Sequence, residues 1–274
     1  MNSPDLERPS ITDGEFRKFQ TLFMERIGLQ LSEHKKLLLT GRLGRRLVKL
    51  GLATFQAYHD LLASGSDPSE MRTAIDLITT HETFFFREPA HLELLARDIL
   101  QQRPPHRELR VWSAACSSGE EAWSIAMVLH DRLGAVGWKI VATDVSGDAL
   151  RKTTTGLYSM ERISGIPQKF LKAYCLKGTG EYEGKLLIHR ILREHVVARE
   201  ANLLDLPGDL SEFDVIFLRN VMIYFDAPTK EKVLQAVCKR LRPEGWLIVG
   251  QAESIAHEGL SLRQIRPSVF RRLA

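Results

Sequence analysis

Two acidic residues follow a run of small residues between Trp112 and Glu121, where a predicted strand meets a predicted helix. Small residues let a ligand approach the backbone closely, but the segment lacks the GxGxxG spacing of dinucleotide sites. Glu120 and Glu121 stand where a pyrophosphate needs a bare helix N-terminus, and they would repel it. A cofactor that carries positive charge, such as the ammonium and sulfonium of S-adenosylmethionine, fits better. The alternative is that both acids only stabilise the helix dipole.

A third acid, Asp144, follows the second predicted strand, at residues 138–143. An acid at this place binds ribose hydroxyls in dinucleotide-binding and methyltransferase folds. The alternative is that Asp144 caps the next helix, a role for which Ser146 competes. Taken with the small-residue loop, Asp144 favours a cofactor that contains a ribose.

Two arginines are candidates for binding a carboxylate. Arg219 and Asn220 directly follow the apolar strand predicted at 213–218, where burial of such groups is costly without partners. A ligand carboxylate or amide is one natural partner, and a protein acid that supports a loop is the other. Arg87 closes the stretch Thr79–Arg87, in which Phe84–Phe86 either wall an apolar cleft or pack into a core. We favour core packing for the phenylalanines and a functional role for Arg87.

These residues are positioned by alternating strands and helices, which predict βαβ units and a parallel sheet. Ligands bind such sheets at the carboxyl ends of the strands. The fold class is therefore α/β, with a Rossmann-like sheet. The predicted strands are 109–113, 138–143, 213–218, 246–250, 260–265 and 268–273, and the predicted helices are 120–133, 147–155 and 228–240.

The N-terminal part is predicted to be helical. Residues 1–11 form a polar tail, residues 12–77 a helical domain, and residues 78–274 the α/β domain. Capping residues open the helices of the first domain, and Gly51 ends one of them. These caps are Thr12, Ser32, Thr54 and Asp67. A helix from Pro89 to about Gln102 is ended by two prolines, and two β-rich runs, 185–189 and 195–199, predict a small antiparallel insertion at about 174–200.

Composition excludes several classes of protein. The 274 residues are 44% hydrophobic and 26% charged, which is ordinary for a globular chain and unlike a disordered or fibrous one. Cys116, Cys175 and Cys238 have neither metal-ligand nor disulfide-framework spacing, which favours a reducing compartment and no metal site. Neither a membrane-spanning run nor a signal peptide is visible, so we expect a cytoplasmic protein without membrane insertion.

The net charge is +4, and part of the positive charge is concentrated on one predicted N-terminal helix. Four basic residues, Arg42, Arg45, Arg46 and Lys49, follow helical spacing in a stretch without acids, beside a stripe of leucines. Such a run is either a solvated face or a docking surface for an acidic partner.

The motifs together resemble the CheR-type chemotaxis receptor methyltransferases over nearly the whole chain. The matching segments are the junction at 79–87, RVWSAACSSGEE at 110–121, GTG at 178–180, FLRNVMIYFD at 217–226 and GQAES at 250–254. The resemblance implies S-adenosylmethionine as cofactor and methyl esterification of glutamates on the cytoplasmic helices of chemoreceptors. S-adenosylhomocysteine is then the product, and the four basic residues dock on the receptor.

The resemblance also assigns residues. It places cofactor contacts at His81, Thr83, Arg87, Glu121, Asp144, Asn202, Leu203, Arg219 and Asn220. Tyr224 falls beside the methyl-donor end, so Arg87, Arg219 and Tyr224 are the candidate catalytic residues. The chain departs from the family at His81, where asparagine is common, and at Phe84, where relatives have a smaller residue. Some members bind the C-terminal pentapeptide of a receptor through the insertion, and Gly178 and Gly180 match those members.

The chemistry implied needs no general base. A glutamate carboxylate has a pKa of about 4.3, so it is an anion near pH 7. The site must align oxygen, carbon and sulfur and exclude water. We expect Arg87 and Arg219 to position a carboxylate, either that of the substrate or that of the cofactor, in a protein that acts as a monomer.

Three other functions are weighed against this one. A nucleic-acid methyltransferase agrees with the pI of about 9.0, but Arg219 to Met222 stand where amino-methylating DNA enzymes carry [DN]-P-P-[YF]. A non-catalytic binding module is disfavoured because Glu121, Asp144 and Arg219 are retained. A nicotinamide oxidoreductase lacks its glycine fingerprint. We therefore expect no nucleic-acid partner.

Overall fold

The computed structural model describes residues 10–103, 106–256 and 259–274. The chain forms two compact units, one comprising residues up to Thr80 together with Tyr224–Asp226 and the other comprising His81–Ile223 and Ala227–Ala274. The described part of the predicted tail is residues 10 and 11. The proline pair at 104–105, predicted to end a helix, lies outside the described residues.

The first unit is helical. Its helices are α1 Asp13–Ile27, α2 Lys36–Leu50, α3 Phe55–Ser64 and α4 Pro68–Ile78. Thr12 and Glu15 cap α1 reciprocally, because the Thr12 hydroxyl accepts from Glu15 N (3.2 Å) and the Glu15 carboxylate accepts from Thr12 N (2.8 Å). Thr54 and Asp67 cap α3 and α4 through their side chains as predicted. Ser32 makes no side-chain cap, and a 3₁₀ turn precedes α2 there.

Aromatic side chains fill the core of this unit. Phe16, Phe19 and Phe23 lie on the buried face of α1, and Phe55 and Tyr58 of α3 are fully buried as well. Phe19 packs edge-on against Phe55, with ring centroids 6.1 Å apart. Gly51 ends α2 in the left-handed conformation, at φ 69°, which a side chain would strain.

The second unit is an α/β sheet structure, which confirms the predicted fold class. Its helices are α5 Pro89–Leu94, α6 Glu120–Leu133, α7 Gly147–Thr155, α8 Gln168–Tyr174, α9 Arg190–Arg193 and α10 Ala227–Lys239. Its strands are β1 Leu109–Ala114, β2 Trp138–Asp144, β3 Leu157–Ser159, β4 Cys175–Lys177, β5 Lys185–Ile188, β6 Val196–Glu200, β7 Phe213–Leu218, β8 Leu241–Val249, β9 Leu262–Arg266 and β10 Val269–Arg272. After α5 the chain continues in π and 3₁₀ turns to Gln102.

Within the described residues the main sheet has seven strands, in the order β6-β2-β1-β7-β8-β10-β9. The first five are parallel, and β10 runs antiparallel to both β8 and β9. Every residue of β7 is buried, as expected for a central parallel strand that is covered on both faces. The register pairs Ala114 with Thr143 on one side and with Leu218 on the other, so β1, β2 and β7 end at one edge.

The predicted antiparallel insertion at 174–200 is wrong in its second half. The run at 195–199 is part of β6, the parallel edge strand of the main sheet. The small sheet instead has the order β3-β5-β4. Sequence spacing suggested a hairpin between neighbouring runs, but α9 separates them and carries the chain from one sheet to the other.

No helix of the described ranges is both long and apolar enough to cross a membrane. No group of three or more His, Cys, Asp or Glu side chains that could hold a metal ion is present in the same ranges.

Candidate active site

The carboxyl ends of β1, β2 and β7 bring three of the predicted segments together. The loop after β1 is tied to β2, because Cys116 N donates to the Thr143 carbonyl at 2.8 Å. Ser117 N donates to the Asp144 carboxylate at 2.8 Å. These bonds hold the small-residue loop against the end of β2. This is the edge of a parallel sheet at which ligands bind.

Asp144 is buried and does not cap the following helix. Its second carboxylate oxygen accepts from Ser146 N at 2.9 Å, and the Ser146 hydroxyl itself caps α7. Burial raises the pKa of Asp144, and the backbone donors of Ser146 and Ser117 oppose that rise. Each carboxylate oxygen has a second lone pair with which it can accept from a ligand hydroxyl. His81 lies in the same place, with Nδ1 3.1 Å from Ser117 Oγ.

Glu120 and Glu121 have different environments. Glu120 is fully buried and pairs with Arg162 at 2.7 Å and with the Ser118 hydroxyl at 2.7 Å, so its role is internal. Glu121 accepts from the Ser113 hydroxyl at 2.7 Å and lies 3.2 Å from Arg219. Burial raises the pKa of Glu121, although the Arg219 charge acts in the opposite direction.

Arg219 lies between two carboxylates of the chain. Its guanidinium nitrogens are 3.2 Å from Glu88 Oε2 and 3.2 Å from Glu121 Oε2, and Nη2 donates to the Arg87 carbonyl at 2.6 Å. The supporting ion pair that the sequence left as an alternative is therefore present. Within the described residues, the buried Nε of Arg219 has no hydrogen-bond partner.

Glu88 is a member of this cluster that sequence reasoning missed. Burial alone would raise its pKa, but the His91 imidazole, with Nδ1 3.2 Å from Glu88 Oε2, and the Arg219 charge lower the pKa of Glu88 to about 2. Its carboxylate also accepts from Asn220 Nδ2 at 3.3 Å and from Gln251 N at 3.2 Å. The FFRE run places this acid beside Arg87, which is the signal that could have indicated it.

Glu253, within the GQAES segment, organises the end of β7. Its carboxylate accepts from the backbone N–H groups of Asn220, Met222 and Gly250, at 2.7, 2.8 and 2.8 Å. A Cβ at Gly250 would lie 2.7 Å from both Asn220 Nδ2 and Glu253 Oε2, so a side chain there would displace these two groups. The GQAES motif was visible in the sequence. The contacts of Glu253 were not, because most of them join residues that are distant along the chain.

Left-handed backbone conformations are concentrated in these loops. Positive φ angles occur at Phe86, Glu88, Ala115, Ser117 and Asn220, between 51° and 58°. Residues other than glycine adopt this conformation at a cost, and such strain is typical of binding sites whose geometry is fixed by their surroundings.

The three phenylalanines before Arg87 have different environments. Phe85 is fully buried and packs edge-on against Tyr158, and Phe86 stacks on Phe170. Core packing is thus confirmed for Phe85 and wrong for Phe84, which is 53% exposed. The Arg87 guanidinium lies over the Phe84 ring, 5.6 Å from its centroid, and Nη1 donates to the Glu82 carbonyl at 2.8 Å.

Three other predicted contacts have defined places. Asn202 and Leu203 follow β6, where Asn202 Oδ1 accepts from Leu204 N at 3.0 Å and Leu203 is buried. The Thr83 carbonyl accepts from Arg162 Nη2 at 3.0 Å. Their contact with a cofactor stays a prediction.

Tyr224 groups with the first unit. Its carbonyl accepts from Gln30 N at 2.9 Å, and the Lys35 ammonium lies 5.1 Å from the ring centroid. Its predicted place beside the methyl donor stays a prediction.

The predicted docking surface needs a correction at two of its four residues. Arg42 Nη1 donates to the carbonyls of Leu77, Ile78 and Thr79 at the end of α4. Arg46 pairs with the buried carboxylate of Glu70. Both are half-buried and bound within the unit, whereas Arg45 and Lys49 are exposed. Helical spacing placed all four on one face but could not show that α4 covers part of it.

The predicted peptide site has a tight turn. Gly178 N donates to the Lys185 carbonyl at 2.9 Å, and a Cβ at Gly178 would lie 1.9 Å from the Tyr182 carbonyl. Gly180 has φ 59°. Both glycines are required by the local backbone, whatever the site binds.

The polar groups of the site suit S-adenosylmethionine. Asp144 offers lone pairs to hydroxyl groups, and Glu121 offers a carboxylate to a cation. Arg87 donates one N–H to the Glu82 carbonyl and has further guanidinium N–H groups that can donate to a carboxylate. A ligand with a ribose, an ammonium and a carboxylate therefore fits the groups that are present.

An S-adenosylmethionine-dependent methyltransferase is the class of protein that this α/β sheet and this site define. The model of the CheR methyltransferase SAM-binding domain matches residues 81–269, and that of the CheR methyltransferase all-alpha domain matches residues 14–79. The chain therefore belongs to the CheR methyltransferase family, and the predicted resemblance is confirmed.

Relatives match over almost their full length. A chemotaxis protein methyltransferase of Escherichia coli is 40% identical over 257 residues, covering 92% of this chain and 88% of the relative. Chemotaxis protein methyltransferase 2 of Pseudomonas aeruginosa is 38% identical, covering 94% and 93%. A chemotaxis protein methyltransferase of Borreliella burgdorferi is 34% identical, covering 96% and 95%.

Proposed function

We propose that this protein methylates the glutamate side chains of chemoreceptor cytoplasmic helices, with S-adenosylmethionine as methyl donor. The products are a glutamate methyl ester and S-adenosylhomocysteine. Relatives named chemotaxis protein methyltransferases support the pathway. The observation that carries the proposal is that the buried carboxylates of the site already accept hydrogen bonds or ion pairs from other groups of the chain. Such a site can bind and orient its ligands without moving a proton.

Asp144 and Glu121 hold the cofactor in this proposal. Asp144, fixed by Ser117 N and Ser146 N, accepts from the ribose hydroxyls. Glu121 faces the ammonium group, and Arg219 orients Glu121 from the other side. The remaining cofactor contacts are the predicted ones at His81, Thr83, Asn202, Leu203 and Asn220.

The reaction requires alignment rather than acid–base catalysis. When bound, S-adenosylmethionine supplies a methyl group on a sulfonium sulfur, which a carboxylate oxygen can attack while the carbon–sulfur electron pair returns to sulfur. A substrate glutamate is ionised near pH 7. Glu88 is ionised too, but its pKa of about 2 makes it a poor base, and Arg219 and His91 hold it. Orientation alone can contribute most of the rate enhancement in such a step.

Arg87 is the arginine that has donors to offer a ligand carboxylate. Among the described residues, its side chain makes one hydrogen bond, to the Glu82 carbonyl. Arg219, in contrast, already pairs with two acids. We therefore assign substrate or cofactor carboxylate binding to Arg87 and orientation of Glu121 to Arg219.

The direct test is transfer of tritiated methyl from S-adenosylmethionine to receptor cytoplasmic fragments. The expected product releases volatile methanol in mild base, as a carboxyl methyl ester does. A matched receptor fragment whose candidate glutamates are replaced by glutamine is the control, and it should accept no label. Label that resists base, or that appears instead on added nucleic acid, would contradict the proposal.

Two receptor contacts extend the proposal. The first is an exposed basic surface formed by Arg45 and Lys49 of α2. The second is the small sheet, where β3 and β4 are edge strands to which an extended peptide can add. Calorimetry with the receptor C-terminal pentapeptide tests the second contact, and the absence of binding heat would remove it. Because the substrate is cytoplasmic, the proposal places the protein in the cytoplasm.

A further inference from the structure

Phe84 is an exposed aromatic residue at the edge of the candidate site. Its two neighbours in sequence, Phe85 and Phe86, are packed against other rings, whereas Phe84 leaves 53% of its surface accessible. The ring of Phe84 nevertheless has a defined contact, because the Arg87 guanidinium carbon lies 5.6 Å from its centroid. A guanidinium within about 6 Å of a ring face is attracted by the ring quadrupole.

The Arg87 side chain is thus held from two sides. The Phe84 ring contacts the guanidinium, and the Glu82 carbonyl accepts from Nη1 at 2.8 Å. The Arg87 backbone is fixed separately, since its carbonyl accepts from Arg219 Nη2 at 2.6 Å. The freedom that remains at Arg87 is that of the torsions of its long side chain, and ordering such a side chain costs conformational entropy.

The base of the Phe84 ring is itself fixed. Thr83, just before it, accepts through its carbonyl from Arg162 Nη2 at 3.0 Å. Gly165 packs directly on this segment, where an added Cβ would lie 2.2 Å from the Phe85 carbonyl and 3.9 Å from Phe84 Cδ2. The backbone on both sides of Phe84 is therefore held in place, which fixes the point from which the ring extends.

We propose that Phe84 is a positioning residue, which orders the Arg87 guanidinium by a cation–π contact so that a ligand carboxylate meets it in place. The proposal rests on the role proposed above for Arg87 in binding a carboxylate. Phe84 itself contacts neither substrate nor reacting atoms. Its effect is to remove in advance part of the entropy that binding would otherwise cost.

The first experiment measures Arg87 order directly, in the full chain and without any reaction. The Arg87 Nε–H resonance is assigned by its loss in Arg87→Lys. We expect Phe84→Leu, which keeps an apolar side chain without a π face, to shift that resonance and increase its mobility, whereas Phe84→Trp keeps it ordered. Tyr182→Ala is the control, since Tyr182 is also an exposed aromatic (50% accessible) but contacts no arginine in the described contacts.

The second experiment measures ligand binding and kinetics. Titration with S-adenosylhomocysteine and the KM for the receptor fragment show which constant Arg87→Ala weakens. Phe84→Leu should weaken the same constant by about two- to fivefold, as expected for an exposed cation–π contact, with little change in kcat. In an Arg87→Ala background, Phe84→Leu should add nothing, because its effect passes through Arg87.

The proposal is overturned if the Arg87 resonance is insensitive to Phe84→Leu. It is equally overturned if the Phe84 and Arg87 variants have additive effects, or if Arg87→Ala binds and reacts normally. Failure of the proposed function has a different signature, since no variant and no wild-type protein would then form base-labile esters. In that case, the resonance and the S-adenosylhomocysteine titration still decide the role of Phe84.

Discussion

Each unit of the molecule contains an arginine that pairs with a carboxylate, and the two clusters differ in the number of acids around the arginine. In the helical unit, Arg46 pairs with both oxygens of Glu70, which also accepts from the Tyr58 hydroxyl at 2.6 Å. In the α/β unit, Arg219 lies between Glu88 and Glu121. We call the first the closed cluster, in which one acid pairs with one arginine. We call the second the open cluster, in which two acids lie around one arginine.

This difference agrees with a structural ion pair in the helical unit and with the proposed cofactor site in the α/β unit. The closed cluster joins α2, α3 and α4, and its backbone is regular helix. The open cluster has an unpartnered Arg219 Nε within the described residues, and its neighbours Glu88 and Asn220 have left-handed backbone. Strained backbone of this kind is typical of ligand sites, which agrees with the binding role proposed for the open cluster.

The largest effect should come from removing the arginine of the open cluster. Arg219→Ala leaves two carboxylates facing each other, so the free energy of unfolding should fall by about 3–5 kcal/mol, as when one partner of a buried pair is lost. Affinity for S-adenosylhomocysteine should fall by on the order of 100-fold, measured by calorimetry. Arg219→Lys keeps the positive charge but lacks the planar guanidinium group. It should therefore retain part of the stability and part of the affinity. Normal affinity in Arg219→Ala would show that the cluster is not part of the cofactor site.

Removing the arginine of the closed cluster should affect stability alone. Arg46→Ala leaves one buried carboxylate, that of Glu70, without its arginine partner. The free energy of unfolding should fall by about 3 kcal/mol. Hydrogen exchange should accelerate in α2 and α4, while the amides of the main sheet keep their protection. Arg45→Ala, one position away and exposed, is the matched control and should change stability by less than about 0.5 kcal/mol. Equal effects of the two variants would remove the distinction between bound and exposed arginines on α2.

Glu70 of the closed cluster and Glu121 of the open cluster should respond to pH with opposite signs. Hydrogen bonds from Arg46 and Tyr58 outweigh burial and lower the pKa of Glu70, so its stabilising contribution is present above about pH 4.3 and is lost on acidification. Burial raises the pKa of Glu121, so its contribution is present at low pH and is lost as pH rises through the folded pKa. Urea unfolding of Glu70→Gln and Glu121→Gln between pH 3.5 and 7 measures both.

Relative to wild type, Glu70→Gln should therefore lose less stability as the pH falls, and Glu121→Gln should lose less as the pH rises. Each change in slope is at most about 1.4 kcal/mol per pH unit for one proton. Slopes of the same sign for both variants would contradict the opposite pKa directions of Glu70 and Glu121.

Sequence reasoning predicted most elements because their signals are local. The helices at 120–133 and 147–155 and the strand at 213–218 have the predicted bounds, since caps, glycines and apolar runs determine them. The prediction failed where pairing is not local. The run at 195–199 pairs with β2, about 55 residues earlier, and no local pattern distinguishes that from a hairpin.

The site shows the same limit. Asp144, Glu121 and Arg219 were predicted as candidates because each stands at the end of a recognisable element. Glu88 and Glu253 were missed, because their function depends on which backbone N–H groups and cations approach them in the fold. The four basic residues of α2 were predicted to share one helical face, and they do. Which of them are bound within the unit and which are exposed depends on where α4 packs.

The smallest expected effect concerns the exposed basic residues of α2. Arg45 makes only a 3.3 Å contact to the Gly41 carbonyl among the described side-chain bonds, so its charge is available to an acidic partner. Arg45→Glu and Lys49→Glu should each raise the KM for the receptor fragment by up to about fivefold, because exposed ion pairs contribute roughly 0.2–1 kcal/mol. The effect should shrink with added salt, since exposed charges are screened beyond a Debye length of about 8 Å at 0.15 M.

Affinity for S-adenosylhomocysteine and the free energy of unfolding should both stay within error in these variants. The same substitution at Arg46 is not an equivalent test, because it would place a second acid beside Glu70 and unfold the helical unit. If Arg45→Glu and Lys49→Glu methylate the receptor with the wild-type KM at low salt, the exposed half of α2 is a solvated face. The two bound arginines would then be the only basic residues of this run with a defined role.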